Sequence, residues 1–99
     1  MYNYLSELLG ERESKKLLNN TYLVRSGKKI AVRLHNTDVV TFTPKTITLN
    51  SGGWLTVTTK DRMNKYLPSN VKVFANKGEW FVSQNDKIIP FKDGMRIRA

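Results

Sequence analysis

Asp38-Val-Val-Thr-Phe-Thr-Pro-Lys-Thr-Ile-Thr-Leu-Asn-Ser-Gly-Gly-Trp-Leu-Thr-Val-Thr58 decides the fold, because most of it alternates with a period of two. Val40, Phe42, Ile47, Leu49, Leu55 and Val57 supply the apolar positions, and Thr41, Thr43, Thr46, Thr48, Thr56 and Thr58 the others. Successive side chains of a strand leave on opposite faces, so one face packs and the other carries hydroxyls. Pro44-Lys45 and Ser51-Gly52-Gly53 punctuate the pattern. The stretch therefore reads as a meander of three strands, Asp38 to Thr43, Thr46 to Asn50 and Trp54 to Thr58. Threonine suits a solvated strand face and pairs across strands; the same hydroxyl face also suits a ligand or a second subunit.

Working outward, the period of two extends upstream through Tyr22 to Arg25 and Ile30 to Leu34, with Ser26-Gly27-Lys28 as a hairpin turn and His35-Asn-Thr37 as a break. Tyr4, Leu5, Leu8 and Leu9 stand instead at helical spacing, predicting a short helix over Tyr2 to Leu9 with Asn3 as its N-cap. Gly10 to Lys16 is polar and reads equally as a prolonged helix, through Glu11 and Lys15 at i,i+4, or as a solvated link. Downstream, Thr59 is expected to cap a helix over Lys60 to Leu67 that Pro68 stops. Strands then resume at Val71 to Ala75, Glu79 to Ser83, Lys87 to Phe91 and Met95 to Arg98. The fold class is mainly β, a β-rich α+β chain: a small curled antiparallel sheet, roll or barrel, with a short N-terminal helix and one short internal helix. One domain accounts for residues 1–99, with 1–19 as a helix and polar segment joined to a β core at 20–98.

Seventeen Lys and Arg against eight Asp and Glu give a formal charge of +9. That surplus attracts anions, and nucleic acid, nucleotides, anionic lipid and acidic proteins all qualify. The cations are spread along the chain, which argues against a polybasic membrane anchor. No membrane partner, signal segment or membrane span is expected, since the N-terminus holds only a few apolar residues before Gly10. The absence of cysteine excludes disulfides, thiol nucleophiles and thiolate metal sites and fits a cytoplasmic chain, and a single histidine makes a zinc site untenable. The expected localisation is the cytoplasm of a host cell.

Chemistry concentrates in Leu49 to Asn64. Gly52-Gly53 permit close backbone approach, Trp54 offers a stacking surface, and Thr58, Thr59, Lys60, Arg62 and Asn64 open a helix with hydroxyls, cations and an amide. A helix N-terminus with such side chains can cradle a phosphate while the indole stacks on a base. Each part also has a structural role open to it, as turn, core anchor, cap or solvated face. Neither a Gly-x-x-x-x-Gly-Lys loop nor a Gly-x-Gly-x-x-Gly fingerprint is present, so no standard nucleotide fold is indicated. Arg33 and His35, near a strand end with Asp38, form a second cluster that can join the same pocket. No nucleophile elbow accompanies His35, and the carboxylates are dispersed. The chain is read as a non-enzyme with no catalytic residue, no metal and no cofactor. Trp80 and Phe81 are neighbours on one strand and must face opposite ways, so only one enters the main core.

Asn20-Thr21-Tyr-Leu, Ala31-Val-Arg-Leu-His-Asn-Thr-Asp-Val-Val40, Leu49-Asn-Ser-Gly-Gly-Trp54, Thr56-Val-Thr-Thr-Lys-Asp-Arg-Met-Asn64 and Gly78-Glu-Trp80 carry a resemblance. Over about 20–95 the chain resembles small uncharacterised proteins of tailed bacteriophages. The resemblance implies a phage or prophage origin. In that setting small basic proteins commonly coat nucleic acid or capture nucleotide signals made by host defence. The expected function is capture of a phosphate-bearing nucleotide, sponge-like, in a pocket built from Arg33, His35, Trp54, Thr58, Thr59, Lys60, Arg62 and Asn64, with a homo-oligomer as a natural frame. The alternatives are a small accessory protein for single-stranded DNA or RNA, and a phage structural or host-protein adaptor.

Overall fold

The computed structural model describes all residues 1–99. Helix α1 (Tyr2–Leu9) is followed by strands β1 (Ser14–Leu18), β2 (Thr21–Ser26), β3 (Lys29–Leu34), β4 (Thr37–Phe42) and β5 (Thr46–Leu49). Helix α2 (Val57–Tyr66) then leads to β6 (Val71–Asn76), β7 (Glu79–Gln84), β8 (Lys87–Pro90) and β9 (Met95–Arg98). The mainly-β class with two short helices is therefore as the alternation implies. The strands form two antiparallel sheets, one ordered β1-β2-β3-β4-β5-β9 and one ordered β6-β7-β8. The order of the large sheet is open, with β1 and β9 at its ends, so it is not a closed barrel.

Each sheet contributes one apolar face to a single core. Leu23, Ile30, Val32, Val40, Phe42, Ile47, Leu49 and Ile97 come from the large sheet, and Val71, Val73, Trp80 and Val82 from the small one. Leu5 and Leu9 of α1 and Met63 of α2 fill the remaining space. Trp80 is thus the inward aromatic, with Phe91 edge-on at 5.3 Å. Phe81 points the other way and stacks on Phe74 at 5.7 Å. A bulge at Val39 of β4, opposite Val32 and Arg33 of β3, lets Val39 and Val40 both enter the core and turns Asp38 outward beside Arg33.

Three local expectations differ from the fold. The cap of α1 is Met1 with no side-chain bond, so Asn3 lies inside the helix. Residues 10–16 neither prolong that helix nor form a link. Gly10, at φ +63°, ends the helix, and Arg25 Nη1 donates to the carbonyls of Gly10 and Arg12 at 2.9 and 3.1 Å. This folds the chain back so that Ser14–Leu18 pair with β2 as an edge strand. Finally, Trp54 to Thr58 is no strand. Thr56 caps α2, its Oγ1 accepting the Thr59 N–H at 3.2 Å, so the helix begins three residues before Lys60. Leu55 and Val57, read as core, are 58% and 78% exposed. Period-two spacing persisted for five residues there, but a cap hydroxyl three positions before Thr59 competes with it locally and wins.

Candidate functional site

The site begins where β5 runs out. Asn50 donates its N–H to the Val39 carbonyl, and its side-chain oxygen accepts the Gly52 N–H at 3.0 Å. Ser51 is buried, and Oδ1 of Asp93 accepts from both its N–H and its hydroxyl, each at 2.7 Å. Ser51 Oγ in turn accepts the Gly53 N–H, and the Ser51 carbonyl accepts the Trp54 N–H, closing a tight turn. Gly52 has φ +63° and lies so close to the Thr37 side chain that a Cβ would collide with it. A left-handed backbone without a side chain is what this approach demands. Gly53 is also left-handed, at φ +85°, but faces open space.

That turn throws Trp54 out of the protein, 68% exposed, just before the start of α2. At the head of the helix Thr59 N–H is taken by Thr56 Oγ1 and Lys60 N–H by the Thr56 carbonyl. The N–H groups of Val57 and Thr58 have no partner in the protein. Two orphan donors and the positive end of the helix dipole therefore lie beside the indole. Between them opens a pocket of about 270 Å³ lined by Leu34, His35, Thr37, Val39, Ser51, Trp54, Thr56, Thr58 and Thr59. A neighbouring hollow runs past His35, Asn36 and Thr37 along the same indole. His35 reaches this rim from the β3–β4 turn, where its φ is +55° and its N–H donates to the Asn20 carbonyl at 2.8 Å.

Of the residues singled out from sequence, His35, Trp54, Thr58 and Thr59 meet around this pocket. Thr59 is buried, its hydroxyl 3.1 Å from that of Thr56. The remaining four are placed elsewhere. Arg33 is on the opposite face of the large sheet, with Nε 2.7 Å from Asp38 Oδ1. The hydrogen bond and charge of Asp38 raise its pKa above the ordinary guanidinium value, against a smaller desolvation. Lys60 Nζ stands 5.5 Å from the centre of the Trp80 ring. It follows Thr58 by two positions, about 200° round the helix, and so leaves the pocket side. Arg62 donates from Nε to Thr21 Oγ1 at 3.0 Å and from Nη1 to Asp61 at 2.9 Å. Nearby, burial raises the Tyr66 hydroxyl pKa and the charge of Arg62 partly offsets this. Asn64 gives Nδ2 to the Val73 carbonyl and takes the Val73 N–H on Oδ1, both at 2.8 Å, and so ties α2 to the edge of the small sheet.

The pocket is consequently neutral: no Lys, Arg, Asp or Glu lines it. Sequence reasoning missed the residues that shape it, Ser51, Thr56, Thr37 and above all Asp93. Asp93 is 42 positions from the serine it holds. Its signal was present only as Asp93-Gly94, which reads simply as a turn.

Taken together, the architecture defines a small, basic, mainly-β protein with two antiparallel sheets and a shallow neutral pocket at a helix N-terminus. Residues 5–98 match the family model of the Kyanoviridae Gp96 protein, and the chain belongs to that family of bacteriophage proteins. No curated protein and no solved structure matches it. No helix is long and apolar enough to cross a membrane.

Proposed function

We propose that this phage protein is a non-enzymatic binder of a phosphate-bearing nucleotide, held in the pocket between His35, Trp54 and the first turn of α2. The observation that carries the reading is the juxtaposition of the exposed Trp54 with the unpartnered N–H groups of Val57 and Thr58. An indole in water offers a stacking face for a base, and a helix N-terminus with free donors receives an anion. Thr56 and Thr58 add hydroxyls, and His35 adds a ring nitrogen able to donate a hydrogen bond. About 270 Å³ is at the small end of ligand sites and suits one nucleotide unit, not several.

The non-enzymatic reading draws on Ser51, a hydroxyl lining the pocket that is already engaged. It donates to Asp93 and accepts from Gly53, and no hydrogen bond joins it to His35. Capture of a host-defence nucleotide signal is the role that fits a phage protein with such a pocket.

The test is native mass spectrometry of the protein expressed in cells with active nucleotide-based immunity, followed by titration of the purified chain with mononucleotides and cyclic nucleotides. A retained nucleotide and saturable quenching of Trp54 fluorescence are expected. Trp54→Ala should weaken binding between about fivefold and about 150-fold, as loss of one base–aromatic stack does. Lys60→Ala with Arg62→Ala should leave retention unchanged, because neither lines the pocket. Absence of any retained or titrated nucleotide overturns the reading.

A further inference from the structure

The inner face of the six-stranded sheet is core; its outer face is covered by nothing. Register fixes what that face displays. One row across the strands is Ser14, Val24, Ala31, Thr41, Thr48 and Arg96. A second is Lys16, Tyr22, Arg33 and Asp38, and at the far end Thr46 stands opposite Arg98. Five cations thus share the face with two acids, Asp38, which Arg33 already engages, and Glu13, which lines a hollow at the β1 end with Ser14, Tyr22, Val24 and Arg33. A hollow of about 300 Å³ lies between Lys29, Thr41, Thr43, Thr46, Thr48 and Arg96, without one hydrophobic residue. Tyr22 is 40% exposed on the same face.

We propose that this face binds single-stranded nucleic acid, with backbone phosphates on Lys29, Arg96 and the threonine hydroxyls and a base stacked on Tyr22. Cations outnumber acids five to two there, and apart from Arg33 none of the five is held in a salt bridge, which is the complement of a phosphodiester chain. Hydroxyl rows add neutral donors that tolerate any sequence. A protein interface of stable size would need an apolar centre, and this hollow has none. An aromatic face can stack only on an unpaired base, which selects a single strand over a duplex. Six strands at about 4.8 Å spacing span about 24 Å, room for a short run of nucleotides. This surface is on the side of the sheet opposite the core and shares no lining residue with the Trp54 pocket, so the two readings stand or fall separately.

The experiment is fluorescence anisotropy of labelled oligothymidylate and oligouridylate, with a DNA duplex for comparison, across a salt series. With Lys16, Lys29, Arg96 and Arg98 as the contacting cations, log K should fall against log salt with a slope of about −3. Lys29→Ala with Arg96→Ala should bring the slope to about −1.4, the value for two contacts. Tyr22→Ala should weaken binding between about fivefold and about 150-fold, the loss of one stacked base. Lys65→Ala with Lys77→Ala, on α2 and the β6–β7 turn, should change neither, and Trp54→Ala should leave oligonucleotide binding intact. Binding of either single strand with these responses supports the proposal and tells DNA from RNA. Duplex held as tightly as single strand, polyglutamate held as tightly as oligonucleotide, or equal losses from the Lys29/Arg96 and Lys65/Lys77 double variants would each overturn it.

Discussion

The Trp54 pocket and the outer sheet face use opposite means to present donors to an anion. The pocket has no formal charge on its lining and relies on orphan backbone N–H groups, hydroxyls and an exposed indole. The sheet face has its donors on long cationic side chains with little to orient them. The pocket is fixed by a network: Asp93, Ser51, the two glycines and the Thr56 cap must all be in place for Trp54 to stand where it does. The sheet face needs only its register, which the buried alternation already specifies. Preorganised dipoles give shape selectivity, whereas unpaired cations give reach and salt dependence.

The largest way to break this contrast is at Gly52. Gly52→Ala puts a Cβ into the Thr37 side chain on a backbone at φ +63°, and should cost about 2–4 kcal/mol from strain and steric displacement together. Gly53→Ala, at φ +85° in open space, should cost about 1 kcal/mol from the backbone alone. Urea denaturation measures the difference. The Gly52 variant should also lose the environment of Trp54 while the outer sheet face persists, since the strands there do not depend on the turn. Equal costs for the two glycines would show that the close approach to Thr37 does not shape the pocket.

A smaller effect distinguishes the two threonines at the head of α2. Thr56→Ala removes the side chain that receives the Thr59 N–H and should lower stability by about 1 kcal/mol. Thr58→Ser, which keeps the exposed hydroxyl, should change it by less than about 0.5 kcal/mol. Hydrogen exchange at the Thr59 amide is the direct readout, faster in the first variant and unchanged in the second.

How far the sequence carried differs between the two regions for a physical reason. The large sheet was legible because Val40, Phe42, Ile47 and Leu49 alternate against threonines, and burial on one face makes register readable residue by residue. The edge strand β1 was not, because Ser14, Lys15 and Lys16 carry no alternation and are held by pairing with β2 and by Arg25 at the preceding turn. At the pocket, the glycine pair, the tryptophan and the helix start were legible as a cluster. Their assembly was not: which cations join them depends on the phase of α2, and that phase is set by a cap at Thr56 instead of Thr59. The three-residue difference rotates Lys60 towards Trp80, and Arg62 is engaged by Thr21. Asp93 could not be found from spacing at all, since its partner is on another strand end.

The smallest expected effect bears most directly on that misplaced boundary. If Trp54 to Thr58 were a strand, Leu55 and Val57 would fill the core beside Phe42 and Leu49, and truncating either would cost several kcal/mol. As the start of a helix they are 58% and 78% exposed, so Leu55→Ser and Val57→Ser should each shift the unfolding free energy by no more than about 0.5 kcal/mol. Leu49→Ala, fully buried, should cost about 2–5 kcal/mol in the same assay. A large loss at Leu55 or Val57 would restore the strand and bury the residues that now frame the indole. The pocket would then lose its helix N-terminus, while the cationic sheet face, built on β1 to β5 and β9, would be untouched.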